Sequence, residues 1–357
     1  MRILILKPSS LGDVVHAIPV LRMLRRALPQ SDIFWWIDAD LQDLLAGDPD
    51  LSGTILFQRK RWVAPRFWPE AIRSIRQMRH QRFDWVIDLQ ALARSGILAW
   101  LACGGLTVGL DDNREGASAL YDVRVPRPSF HAHAVDWYLE TLRALRIPIN
   151  WDFVWLPAKA RAQMEVQSRW QPGGKRWIAL QPGARWMNKR WPVEHFGQLV
   201  RRLAADLADV HFVILGSDAD VPLGEALRAA CPARCLDLTG RTTLSQMVEW
   251  LRLSDLLITN DSGPMHVATA LGKRVVALFG PTEPRRTGPY RGLDQVLQLK
   301  LPCVPCLKSV CVNQQPLECL RGLSVTEVYD AVAQAWPSRL IPRMVADVPD
   351  RDVACQV

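Results

Sequence analysis

Two rounds of one alternation constrain this chain more than any single motif does. Short apolar runs at 3–7, 32–37, 54–57, 84–88 and 106–110 are separated by helical periodicity near 14–28, 69–81 and 93–103. A further helical stretch at about 131–146 leads to Ile147-Pro148-Ile149-Asn150, which with Pro157 reads as a linker. The scheme then returns without repeating the sequence. Strands are expected near 177–181, 210–215, 235–238, 255–259, 274–278 and 295–299, and helices near 193–206, 221–230, 244–253 and 263–271. Alternation of this kind predicts parallel sheets covered on both faces. The expected fold is α/β, with two Rossmann-like doubly wound domains facing across a cleft. The first spans 1–155 and the second 156–323; a C-terminal helix and tail follow over 324–357, with 337–357 reading as poorly ordered.

At 357 residues and 49% hydrophobic content, the chain has enough apolar side chains for two ordinary cores. No uncharged apolar run reaches the roughly 18 residues that a membrane-spanning helix requires. The start is wrong for a secretion signal, since Arg2 and Lys7 bracket only four apolar residues, so the protein is expected in the cytoplasm. A net charge of +8 points to an anionic partner, and charge alone does not choose among nucleic acid, a membrane surface and a phosphorylated substrate.

Two turns carry candidate chemistry. Asn260-Asp261-Ser262-Gly263-Pro264-Met265-His266 follows the apolar run Leu256-Leu257-Ile258-Thr259 and reads as strand, tight turn, helix start. Ser262 and Gly263 then offer backbone N–H groups at the positive end of a helix dipole, which suits a phosphate as well as an ordinary cap. A second turn of this kind, Lys7-Pro8-Ser9-Ser10-Leu11-Gly12-Asp13, follows Ile3-Leu4-Ile5-Leu6. Asp13 falls at the mouth of the next helix, where a carboxylate serves as a helix cap or as a general base aimed into the crevice at the strand ends. No Gly-Lys-Ser/Thr closes this loop and no dinucleotide fingerprint is present, so nucleotide hydrolase and dehydrogenase lose their main support.

The opening Arg2-Ile3-Leu4-Ile5-Leu6-Lys7, with Ser9-Ser10-Leu11-Gly12-Asp13 and His16, resembles the start of the lipopolysaccharide heptosyltransferases, the ADP-heptose family of inverting glycosyltransferases. Three further segments agree in order: Gln181-Pro182-Gly183-Ala184-Arg185 leading to Lys189-Arg190-Trp191-Pro192, then Asn260 to His266, then Phe279-Gly280-Pro281-Thr282. Arg185-Trp186-Met187-Asn188 favours the heptosyltransferase II style of loop. The resemblance implies a GT-B fold and transfer of heptose from ADP-L-glycero-D-manno-heptose to Kdo-lipid A or heptosyl-Kdo-lipid A in the lipopolysaccharide inner core. It implies that Asp13 deprotonates the acceptor and that Lys189 offsets charge on the leaving diphosphate. Ser262 and Gly263 would hold that diphosphate, Asp261 would contact the donor or order the turn, His266 would face the donor sugar or a phosphate, and Ser10 would support the donor cleft. In the loop Leu215-Gly216-Ser217-Asp218-Ala219-Asp220, Asp220 fits the ribose position, with Asp218 two residues away. No cofactor and no metal are implied for transfer. A non-hydrolysing sugar-nucleotide epimerase of the same architecture is the alternative, and a nucleic-acid-binding protein a weaker one.

Two features lie outside these motifs. Cys303-x2-Cys306-x4-Cys311-x7-Cys319 is compatible with four thiolates on zinc or with structural thiols in a reducing compartment. Residues 59–82 hold Arg59, Lys60, Arg61, Arg66, Arg73, Arg76, Arg79 and Arg82 against the single acid Glu70, with Trp62, Phe67 and Trp68 interleaved. Such a segment suits an anionic lipid surface or a solvated helix face. With the resemblance, Arg59 and Arg61 are expected to bind acceptor anions, and the helix near 69–81 to draw the protein to the inner face of the cytoplasmic membrane.

Overall fold

A computed structural model describes residues 1–357 apart from 59, 63, 113–114, 171–174, 294–295 and 337–357. Strands β1 (Arg2–Leu6), β2 (Asp32–Asp38), β3 (Gly53–Phe57), β4 (Trp85–Asp88), β5 (Leu106–Asp111) and β6 (Val123–Pro126) form one sheet. Its order is β3-β2-β1-β4-β5-β6, and every pairing is parallel. Helices α1 (Leu11–Ala27), α2 (Gln42–Leu45), α3 (Trp68–His80), α4 (Ala93–Leu101) and α5 (Ala134–Ala144) accompany it. Strands β7 (Arg176–Gln181), β8 (Val210–Ile214), β9 (Cys235–Asp237), β10 (Leu256–Asn260), β11 (Arg274–Phe279) and β12 (Val296–Gln298) form a second parallel sheet, ordered β12-β11-β10-β7-β8-β9. Its helices are α6 (Ala160–Gln167), α7 (Val193–Asp206), α8 (Val221–Ala230), α9 (Leu244–Leu253), α10 (Gly263–Ala270), α11 (Pro284–Thr287), α12 (Glu318–Arg321) and α13 (Val325–Ala335).

The central strands are continuous apolar runs because both of their faces are covered. Ile3 to Leu6 and Phe212 to Ile214 are fully buried. Both sheets reverse strand order at one point, between β1 and β4 in the first and between β7 and β10 in the second. Ligands of open α/β sheets bind outside the strand ends at such a switch point. The loops that begin at Lys7, Leu89, Pro182 and Asp261 are the four that leave those strands, so the candidate motifs fall where the topology opens a crevice.

The two halves meet where α1 crosses α10. Glycine permits this approach, because a Cβ on Gly12 would stand 2.2 Å from Cδ2 of His266 and one on Gly263 would stand 2.7 Å from Cδ2 of Leu11. A second tie is polar. Asp43 of α2 accepts from Ser245 N at 2.7 Å and Ser245 Oγ at 2.8 Å, at the positive end of α9. Arg22 of α1, buried, holds Asp48 and Asp50 and donates to the linker carbonyl of Trp155 at 3.2 Å. Short elements absent from the sequence reading are β6, α2, α6, α11 and α12. The edge strand β6 has only four residues, with Arg124 exposed and Pro126 at its end, and so carries no apolar run to betray it. Among the described residues, no helix is long and apolar enough to cross a membrane.

Candidate active site

Asp13 owes its place to helix capping. Its Oδ2 accepts from Ser10 N at 3.0 Å and Ser10 Oγ at 2.7 Å, closing a capping box on α1. Oδ1 has looser company, with Tyr138 OH at 3.4 Å and Lys7 Nζ at 4.0 Å. Lys7 is buried, donates to Leu89 O at 2.9 Å and lies 4.9 Å from the centre of the Tyr138 ring. Burial alone would raise the pKa of Asp13, but Lys7, the two Ser10 bonds and the His266 ring outweigh it and hold the carboxyl below its ordinary range. Asp13 is thus an anion at neutral pH with one oxygen committed and the other available. Burial lowers the pKa of Lys7, opposed by Asp13 and by Asp88, which itself accepts from Tyr121 OH at 2.7 Å.

Across the cleft, Asp261 directly follows β10 and gathers two partners on Oδ2: Lys189 Nζ at 2.5 Å and Thr282 Oγ1 at 2.6 Å. Asn260 pins the preceding loop, donating to Pro182 O at 2.7 Å and accepting from Trp191 N at 2.9 Å. Lys189 is thereby fixed, with its ammonium 4.7 Å from the Trp186 ring centre. Ser262 is the N-cap of α10, and Pro264 in the first turn has no N–H. The amides at the mouth of this helix are therefore those of Ser262 and Gly263.

These groups border two cavities. The larger, about 860 Å³, is lined by Arg185, Arg190, Asp218, Asp220, Ser262 and Gly263 among others. Asp220 is buried there and repeats the device of Asp13, with Oδ2 accepting from Ser217 N at 3.0 Å and Ser217 Oγ at 2.8 Å. Its Oδ1 makes no hydrogen bond and lies 3.4 Å from Arg190. A Cβ at Gly183 would come within 2.4 Å of this carboxylate, which is why the loop after β7 needs glycine. The smaller cavity, about 350 Å³, is lined by Lys7, Asp13 and Tyr138 from the first half and by Lys189, Thr282 and Arg286 from the second. A carboxylate and a lysine side chain, one from each half, thus face one space, an arrangement suited to an inverting group transfer from a diphosphate.

The family described as glycosyltransferase family 9 (heptosyltransferase) matches residues 71–316. The chain belongs to this family. It is 28% identical over 328 residues to lipopolysaccharide heptosyltransferase 1 of Pseudomonas aeruginosa, covering 88% of each chain. With the lipopolysaccharide core heptosyltransferase OpsX of Haemophilus influenzae it shares 24% over 297 residues, 83% of each. The fold is similar to that of Escherichia coli ADP-heptose heptosyltransferase II, with a TM-score of 0.74 and 23% identity over 94% of this chain and 98% of the other. This family 9 glycosyltransferase therefore has the GT-B fold expected from its sequence.

Several expected site residues sit differently from their expectations. Ser10 lines neither cavity, and its hydroxyl serves Asp13 instead. His266 also lines neither; its ring packs edge-on to His16 at 4.2 Å, and burial pulls its pKa down to about 4. His133 joins that cluster 4.9 Å from His16, with Nδ1 accepting from Val135 N and Nε2 donating to Gly288 O at 3.0 Å. Arg61 pairs with Glu70 at 3.3 Å and stacks on Phe67, outside both cavities. Arg59 lies outside the described residues. Among the described residues, no group of three or more His, Cys, Asp or Glu is placed to hold a metal ion. Cys319 packs beneath Gly280, and burial raises its pKa to about 11. The sequence reading passed over Lys7, Tyr138, Asn260 and Thr282. Lys7, Asn260 and Thr282 stood within the motifs already noted, whereas Tyr138 is a mid-helix residue with no local mark.

Proposed function

We propose that this glycosyltransferase moves heptose from ADP-L-glycero-D-manno-heptose to a hydroxyl of the lipopolysaccharide inner core, Kdo-lipid A or heptosyl-Kdo-lipid A. Residues 1–155 carry the acceptor and 156–323 the donor. The nucleotide occupies the larger cavity, its ribose toward Asp220 and its diphosphate on the amides of Ser262 and Gly263. Oδ1 of Asp13 takes the acceptor proton as the hydroxyl oxygen attacks the anomeric carbon; the bond to the diphosphate breaks on the opposite face and ADP departs with the electron pair. Lys189 offsets the charge that grows on the leaving oxygen. No step calls for a metal. The protein works at the inner face of the cytoplasmic membrane, held by the basic face of α3.

The observation that carries this reading is the smaller cavity, where the carboxylate of Asp13 and the side chain of Lys189 border one space. The test is ADP release from ADP-heptose in the presence of Kdo-lipid A or heptosyl-Kdo-lipid A, with the gain of one heptose followed by mass spectrometry. Transfer to at least one acceptor is expected. Release with neither, or conversion of the sugar nucleotide to an epimer, would overturn it.

A further inference from the structure

Lys7 is drawn in two directions. Its ammonium stands 4.0 Å from Oδ1 of Asp13, which with it lines the smaller cavity. On its other side it donates to Leu89 O at 2.9 Å, and the residue before that carbonyl is a second, fully buried acid, Asp88. Asp88 ends β4 in register with Leu6, the residue before Lys7. Asp13 and Asp88 both oppose the fall in pKa that burial imposes on Lys7, so the one ammonium lies in the field of two acids.

Asp88 accepts on both of its oxygens, as a carboxylate does. Oδ1 takes the Gln90 N–H at 2.8 Å, which fixes the turn carrying the Leu89 carbonyl, and Oδ2 takes the Tyr121 hydroxyl at 2.7 Å. The Tyr121 ring has its space because residue 109 is glycine, where a Cβ would stand 2.3 Å from ring Cε2. Asp88 and Tyr121 line neither cavity, so any effect on a bound substrate has to pass through another residue. That residue is Lys7. An ammonium with one carboxylate partner closes to a charge-assisted contact of about 2.7–2.9 Å. Lys7 has not closed on Asp13 and keeps its short contact on the Leu89 side. Oδ1 of Asp13 is thereby stabilised as an anion without being occupied.

We propose that Asp88 is a positioning residue for the transfer: it holds Lys7 back from Asp13, so that Oδ1 stays open to the acceptor hydroxyl. Without Asp88 the ammonium closes on Oδ1, and the acceptor proton then has to displace it from a weaker base. The restraint rests on the reading of Asp13 as the base, and its test separates the two. Asp88→Asn, Lys7→Met and the double variant are compared with the parent at about pH 8, where Asp13 is ionised in all of them. Asparagine keeps both hydrogen bonds, since Oδ1 accepts from Gln90 N and Nδ2 donates to the Tyr121 oxygen. Asp88→Asn should lower kcat about tenfold, a fraction of what a general base supplies, with the ADP-heptose KM within about twofold. Adding Lys7→Met should bring kcat back to the level of Lys7→Met alone, because no ammonium remains to close on Asp13. A residue that merely supports the fold would leave the double variant at least as slow as Asp88→Asn. Carbon-13 NMR of labelled aspartate carboxyls, with Asp13 assigned by its loss in Asp13→Asn, gives a readout that needs no transfer. The Asp13 signal should move in Asp88→Asn and return, in the double variant, to its position in Lys7→Met. Asp88→Ser, whose hydroxyl accepts from Gln90 N, carries both measurements if Asp88→Asn does not fold. Parental kcat in the variant without the charge, or no recovery on adding Lys7→Met, overturns the restraint. A parent that transfers heptose to no acceptor overturns the functional reading instead, and the Asp13 signal then decides the restraint alone.

Discussion

At the scale of single residues, the proposed role of Asp13 as base depends on how differently its two oxygens are treated. Ser10 saturates Oδ2 through its amide and its hydroxyl, while Oδ1 has only Tyr138 at 3.4 Å and Lys7 at 4.0 Å. Lys7 is the foremost of the groups that oppose burial and keep this carboxyl below its usual range. Lys7→Met removes that cation, so the pKa of Asp13 rises and a larger fraction of the enzyme is protonated at mildly acid pH. The acid limb of the kcat/KM profile should therefore move to higher pH, while ADP affinity stays within a few-fold. A variant whose profile keeps its acid limb in place would remove Lys7 from the tuning of the base. The sequence exposed Asp13 through its position at a helix mouth, because capping is a local rule. It did not expose Tyr138, which comes from a helix more than a hundred residues away and meets Asp13 only after the first half has folded.

At the scale of elements, the cleft is made by the crossing of α1 and α10. Side chains at Gly12 and Gly263 would have to occupy the space of His266 and Leu11. Gly263→Val should therefore push α10 away from α1 as well as crowd the amides at its N-terminus. We expect a stability loss of about 1–3 kcal/mol, the usual cost of overpacking, together with weaker ADP binding. Denaturant unfolding and calorimetry check both, and parental ADP affinity would mean that α10 does not hold the diphosphate. Helix α3 presents Arg73, Arg76 and Arg79 to solvent beside exposed Trp68 and Ile72. Reversing Arg73 and Arg76 to Glu should reduce sedimentation with anionic vesicles at low salt, where surface charge acts over tens of ångströms. Equal sedimentation would leave the helix as a solvated face. The central strands and long helices were legible because their burial is written as continuous apolar runs or 3.6-residue periodicity. The short pieces β6, α2 and α12 have four residues each and owe their form to neighbours, which no local pattern records.

At the scale of the whole molecule, the junction of the halves is buried and partly unsatisfied. His16 has no partner for either ring nitrogen, and His266 has none for Nδ1. Burial depresses His266 to about 4, so the unfolded chain binds its proton before the folded one does. The associated stability is full above the unfolded pKa of about 6.5, falls as pH drops toward 4, and then levels off; for one such group the loss is on the order of 3 kcal/mol. Chemical denaturation at pH 7.5 and 4.5 should show this loss in the parent and a smaller one in His266→Asn. Equal losses would place the acid sensitivity elsewhere. In the proposed mechanism the junction also divides the labour, with Asp13 as base in the first half and the diphosphate site in the second. Asp13→Ala tests that division most directly. Turnover of ADP-heptose with the lipid A acceptor should fall at least about a hundredfold, the range for a lost general base, while calorimetry finds ADP affinity within a few-fold of the parent. Near-parental turnover, or a collapse of ADP binding along with it, would contradict the account.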